Sequence, residues 1–155
     1  MKARTNIEGG NSSALHLLHR AGQCADELFA LNIGESELTP RQFEVLRAVA
    51  SHAEPSQTVL VEHTGIDRST LADIVRRLVA RGLLVRKRTR HDARMYAVRL
   101  TPAGENALKN AQPAVHSTND AILQALPNAE RKEFLNALNR IIELVSGATH
   151  PRPAK

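Results

Sequence analysis

The hydrophobic period of this chain changes from helical to extended at Gly82, and that switch constrains the fold more than any other feature. Before the glycine, Leu71, Ile74, Val75 and Leu78 recur at i, i+3, i+4 and i+7 behind Asp67, a good helix N-cap. After it, residues 83–89 and 95–101 read as two strands, with Tyr96, Val98 and Leu100 alternating in the second. The intervening Arg90-His91-Asp92-Ala93-Arg94 reads as a polar hairpin tip.

Helical signals flank this unit. Residues 11–33 carry Leu15, Leu18, Ala21, Ala25, Leu28 and Phe29 at helical spacing and meet Gly34 as a stop. Thr39 caps the next helix, Pro40 suits its first position, and Gln42 completes a Thr-x-x-Gln capping box ahead of Phe43, Leu46, Val49 and Ala50. Pro55 ends it, Ser56 caps a short helix bearing Val59, Leu60 and Val61, and Thr64-Gly65 breaks that one. Thr101-Pro102 repeats the cap-then-proline start of a long helix towards Leu126, within which Pro113 is expected to kink or interrupt the chain. Asn128 is expected to cap a last helix with the stripe Phe134, Leu135, Leu138, Ile141, Ile142 and Val145.

The expected fold is mainly α: a winged helix-turn-helix with a small β-hairpin wing, flanked by N- and C-terminal dimerisation helices. Residues 1–10 and 149–155 read as disordered tails, 11–34 as a dimerisation helix, 35–101 as the winged unit and 102–148 as further dimerisation helices. The last stripe is broader than one small domain needs, and an unburied apolar face seeks a partner, so a homodimer is expected.

A chain of 155 residues buries enough surface to fold without metals or disulfides, and its one cysteine, Cys24, permits no internal bridge. No apolar run reaches the roughly 20 residues of a membrane helix and no signal peptide is visible, so a cytoplasmic location with no membrane partner is expected. Residues 68–99 hold ten cationic side chains against Asp73 and Asp92, whereas the rest of the chain carries eleven basic and fourteen acidic residues. A chain that is acidic outside one basic stretch puts positive potential on one face, as binding to double-stranded DNA requires.

The helix after Asp67 separates its faces. Leu71, Ile74, Val75 and Leu78 point to a core, while Arg68, Ser69, Ala72, Asp73 and Arg76 lie opposite. Small and polar groups at a helix N-terminus let the backbone approach a major groove while Ser, Thr and Arg reach bases and phosphates; Thr70 joins this set. For Ser69 and Thr70, simple helix capping remains an equal alternative. Arg86, Lys87, Arg88 and Arg90 can lie along the DNA backbone, and Arg94 is the choice for the minor groove, steadied by Asp92.

These segments resemble the MarR (multiple antibiotic resistance regulator) family. Residues 38–43 with Val45-Leu46 are similar to its second helix, residues 67–71 and 75–86 to its recognition helix and first wing strand. Asp92-Ala93-Arg94 matches its wing signature Asp-x-Arg, and Thr101-Pro102-Ala103-Gly104 the entry to its fifth helix. The resemblance covers residues 38–105 and implies a triangular homodimer that binds pseudo-palindromic operators, represses by default, and is released by small ligands, often aromatic acids. It implies recognition helices about one DNA turn apart, roughly 34 Å.

The resemblance also places the effector between the dimerisation helices and the DNA-binding lobe. Candidate lining residues are His16, His19, Arg20, Gln23 and Cys24 on the first helix, Phe43 and Arg47 on the second, and His116 on the fifth. An Arg or His beside apolar walls would suit a small aromatic or heteroaromatic carboxylate or its CoA thioester. Alternatives are a redox- or metal-sensing regulator of the same fold, using Cys24 or the i, i+3 pair His16/His19, and a non-specific architectural DNA binder. Hydroperoxide-sensing relatives resemble one another in tyrosines around their thiol, whereas the one tyrosine here is Tyr96 in the wing, so an inert Cys24 is expected. No catalytic triad, phosphate loop or paired carboxylates have motif support, so no enzyme, metal or cofactor is expected.

Overall fold

The computed structural model describes residues 13–34, 38–88 and 96–149, with side chains described as far as Val145. Six helices and a two-stranded sheet follow the order α1 (Ala14–Ile33), α2 (Pro40–Ser51), α3 (Gln57–Thr64), α4 (Arg68–Ala80), β1 (Leu84–Arg88), β2 (Tyr96–Leu100), α5 (Pro102–Gln124) and α6 (Asn128–Thr149). This is a mainly helical chain with a wing hairpin.

The helix starts are the ones the caps encode. Thr39 and Gln42 bond reciprocally at the head of α2, and Ser56, Asp67 and Thr101 each accept a backbone N–H of the first turn they cap. The end of α4 is a Schellman motif: Gly82, at φ 70°, donates to Val79 O, and Leu83 donates to Leu78 O. Leu78 and Leu83 are both buried there, so the turn that leads into β1 is fixed by packing as well as by hydrogen bonds.

β1 and β2 pair antiparallel from Leu84↔Leu100 to Arg88↔Tyr96. The far edge of β2 is fastened to the α2–α3 connection: Ser56 bridges Ala97, Val98 N–H donates to Pro55 O at 3.0 Å, and Arg99 pairs with Glu54 at 3.4 Å. That docking explains a departure from simple alternation. Val98 faces the core, but Ala97 is buried too, under the Ser56 segment, while Tyr96 is exposed.

The core gathers Leu46, Leu60, Leu71, Val75, Leu78, Leu84 and Val98, all essentially inaccessible, so α2, α3, α4 and the wing share one apolar centre. α1 lies along α5, joined by Asn32 Nδ2 donating to Thr118 Oγ1 at 3.1 Å. Two boundary expectations need correction. α5 runs unbroken through Pro113, because buried Ala111 and Ala114 on either side hold the helix against its neighbours. Asn128 is the first residue of α6 rather than its cap. α6 itself packs little against the rest of the described chain.

Candidate nucleic-acid interface

The proposed reading helix is built from its cap outward. Asp67 Oδ1 accepts from Thr70 N–H at 2.9 Å and from Ser69 Oγ at 2.7 Å. Those bonds, Thr70's first, hold the Asp67 carboxyl well below the usual carboxylate range. A depressed native pKa means that the ionised cap contributes its full stabilisation above the unfolded value, about pH 4, and loses it as acid titrates the folded form. Asp67→Asn, which keeps a capping oxygen but no charge, is therefore expected to melt below the wild type at pH 7. The gap should close below about pH 4, measured as thermal midpoints against pH. A gap constant across that range would contradict the assignment.

One turn further on, Ser69, Asp73 and Arg76 follow at i, i+4 and i+7, a line facing away from buried Leu71, Ile74, Val75 and Leu78. Asp73 Oδ1 takes Arg76 Nη2 at 2.5 Å, and Oδ2 takes Arg77 Nε at 2.7 Å. The Arg76 bond, followed by the charge of Arg77, holds the Asp73 carboxyl below its ordinary value. Arg68 is exposed at the helix start, and Thr70 is half-buried. Arg81 reaches Gln42 Oε1 at 3.5 Å, tying the end of α4 to the head of α2.

β1 packs on α4 and presents Arg86, Lys87 and Arg88, all exposed, directly after the Schellman turn. The predicted contacts Arg90, Asp92 and Arg94 lie outside the described residues. Thus Arg68, Ser69, Asp73, Arg76, Arg86, Lys87 and Arg88 are accessible in whole or part on two adjoining elements, while Thr70 serves mainly the cap.

The effector candidates are more scattered. A cavity of 170 Å³ lies between α1, α2 and α5, walled by Phe29, Phe43, Val115 and Ile122 with Asp26, Glu44, Thr118 and Asn119 among its polar groups. Of the eight candidate residues, Phe43 alone lines it. His16, His19, Arg20, Gln23 and His116 are exposed, and Cys24 is a half-buried free thiol. Arg20 donates to Gln23 Oε1 at 3.3 Å, and Arg47 is held by Glu44 at 2.7 Å. A larger open cavity of 860 Å³, between the end of α2, β2 and the start of α5, contains none of the eight. Among the described residues no three His, Cys, Asp or Glu side chains converge as metal ligands, and no helix is long and apolar enough to cross a membrane.

Residues 36–95 match a family model described as the MarR family. The transcriptional repressor NicR of Pseudomonas putida is 31% identical over 128 residues, covering 83% of this chain and 81% of that protein. The chain belongs to the MarR family. A solved structure of Bordetella bronchiseptica BpsR, whose DNA binding is regulated by 6-hydroxynicotinic acid, shares 31% identity. It superposes with a TM-score of 0.80 over 86% of this chain and 95% of that one. The repressor CouR, solved on a 23-mer DNA duplex, shares 29% identity with a TM-score of 0.77 over 85% and 95% of the two chains. As a MarR-family member this protein is a winged helix-turn-helix DNA-binding transcription regulator.

Two features of this MarR-family chain escaped the sequence reading. The double engagement of Asp73 by Arg76 and Arg77 was legible in principle, since i+3 and i+4 are the spacings at which helical side chains meet. The cavity wall of Phe29, Val115 and Ile122 was not, because it depends on how α1 lies against α5.

Proposed function

We propose that this protein is a homodimeric repressor that acts in the cytoplasm, binds a pseudo-palindromic operator, and is released by a small aromatic or heteroaromatic acid. The observation that carries the reading is the adjacency of two accessible sets: Ser69, half-buried Asp73 and Arg76 on a capped helix, and Arg86, Lys87 and Arg88 on the strand packed against it. The first suits base edges and the second phosphates. Dimerisation is supported by α6, whose Leu135, Ile141, Ile142 and Leu144 stay exposed in the single chain. Two such lobes would place their reading helices about one helical turn of DNA apart.

The α1–α2–α5 cavity supports the effector class. Its 170 Å³ is close to the roughly 150 Å³ that houses a benzene ring, so the ring of a single-ring acid, free or as its CoA thioester, is of a size to enter it. Its ring would lie against Phe29 and Phe43, whose centroids are 6.4 Å apart, and Arg47, which Glu44 holds from outside the lining, would have to turn inward to meet its carboxylate. BpsR supplies a heteroaromatic precedent at this level of similarity.

Footprinting on duplexes selected from a random pool tests the reading. A discrete protected site of two inverted halves, lost on adding benzoates or nicotinate-type acids, is the expected result. Uniform coating would instead show an architectural protein, and absence of binding would overturn the proposal. Arg94→Ala is expected to weaken binding to that site by about 1–3 kcal/mol, on the scale of one specific contact. Unchanged affinity would remove Arg94 from the wing contact.

A further inference from the structure

We propose that Asp73 is the residue that makes this surface selective: it holds Arg76 in a geometry suited to a base edge and keeps phosphate off the middle of the reading helix. The inference rests on α4 being the recognition helix. Between Arg68 and Arg88 it is the one acidic side chain among seven cations. A surface built only to attract DNA backbone would gain from a neutral or basic group there, because each neutralised phosphate releases counterions and strengthens binding of any sequence.

The geometry shows what the acid does instead. Asp73 sits midway along the outward line of Ser69 and Arg76, and its two oxygens are divided between Arg76 and Arg77. A long arginine side chain ordered before binding gives up less conformational freedom when it docks. With one nitrogen tied to Asp73, the remaining N–H groups of Arg76 are available to the O6 and N7 acceptors of guanine, the pair an arginine fork matches. The carboxylate beside it repels a phosphate that approached the same spot, which disfavours non-specific registers of the protein on DNA.

Helix support alone accounts poorly for the arrangement. α4 is already fixed by the Asp67 cap, by its Schellman end, and by the burial of Leu71, Ile74, Val75 and Leu78. Exposed ion pairs add little to such a helix.

Wild type, Asp73→Asn and Arg76→Lys would be titrated by fluorescence anisotropy at several salt concentrations. The probes are a duplex selected from a random pool by the wild-type protein and a scrambled duplex of the same composition. Asp73→Asn is expected to bind the scrambled duplex more tightly, with a steeper salt slope, and to lose at least about tenfold of the selected-to-scrambled ratio. Arg76→Lys, which keeps the charge but loses the fork, should lose a similar share of the ratio while holding its affinity for the scrambled duplex. A change in the Asp73→Asn ratio of less than about twofold would overturn the proposal and leave Asp73 as a helix-surface pair. Should that variant fail to fold, an unchanged ratio in Arg76→Lys overturns it equally. A wild-type chain that enriches no sequence at all contradicts operator recognition itself, and this inference falls with it.

Discussion

Replacing Gly104 by alanine is expected to destabilise the fold by about 3 kcal/mol or more, and so to lower the thermal midpoint by roughly 6–12 °C for a chain of this size. A Cβ at that position would lie 2.0 Å from the Leu83 carbonyl oxygen, 3.0 Å from its carbon and 3.1 Å from Leu100 Cδ2. The obstacle is backbone, and it is held on both sides. Leu83 O accepts from Thr101 N–H at 3.1 Å, and the Thr101 hydroxyl donates to Gly82 O at 2.6 Å. The first turn of α5 is thereby bolted to the turn between α4 and β1, so relief would require moving α4, the wing or both. A midpoint within a degree or two of the wild type would show that this junction is looser than the distances imply. DNA binding should fall with the stability, because the same junction sets the angle between helix and wing.

Ile142→Glu is expected to yield monomers and to weaken operator binding by about 10²–10⁴-fold, the advantage that linking two binding modules typically confers. Ile142 is 60% exposed in the single chain and Leu144 75%, on a helix that finds little of its own chain to pack against. Amphipathic helices owe most of their stability to burial of the apolar face, and the proposed dimer would bury that of α6. The substitution disturbs no intrachain core, so the winged lobe should stay folded, and any helicity lost should be confined to α6. Sedimentation shows the mass and anisotropy the affinity. A variant that stays dimeric with full operator affinity would remove α6 from the interface.

How much of this was written in the sequence follows the range of the forces involved. Thr39 with Gln42, Ser56, Asp67 and Thr101 marked their helices because capping is settled within four residues. The inward set Leu71, Ile74, Val75 and Leu78 was equally plain, since one face of a helix is fixed by its period. Pro113 does not interrupt α5, because its local cost is outweighed by packing around Ala111 and Ala114 that no short window contains. Ala97 was buried against expectation for the same reason: Ser56, forty-one residues earlier, covers it. The basic surface could be read as charge, but the clasp of Asp73 on Arg76 and Arg77 needed coordinates. Least legible was the proposed effector cleft. His16, His19, Arg20 and Gln23 share a helix with Phe29, yet they are exposed in the single chain while Phe29 is buried against Phe43. The apolar spacing of α1 marks Ala25, Leu28 and Phe29 as inward, but that Leu15, Leu18 and Ala21 on the same stripe stay exposed is decided by where α5 and α2 cover it.

One surface, formed by the outward face of α4 and the cations of β1, is where DNA is expected to sit. Amide hydrogen exchange of the full chain, with and without a saturating selected duplex, reads that surface directly. Slower exchange concentrated in residues 68–77 and 84–88, with α6 unchanged, is the expected result. Protection confined to α5 or α6, or none at saturation, would contradict it.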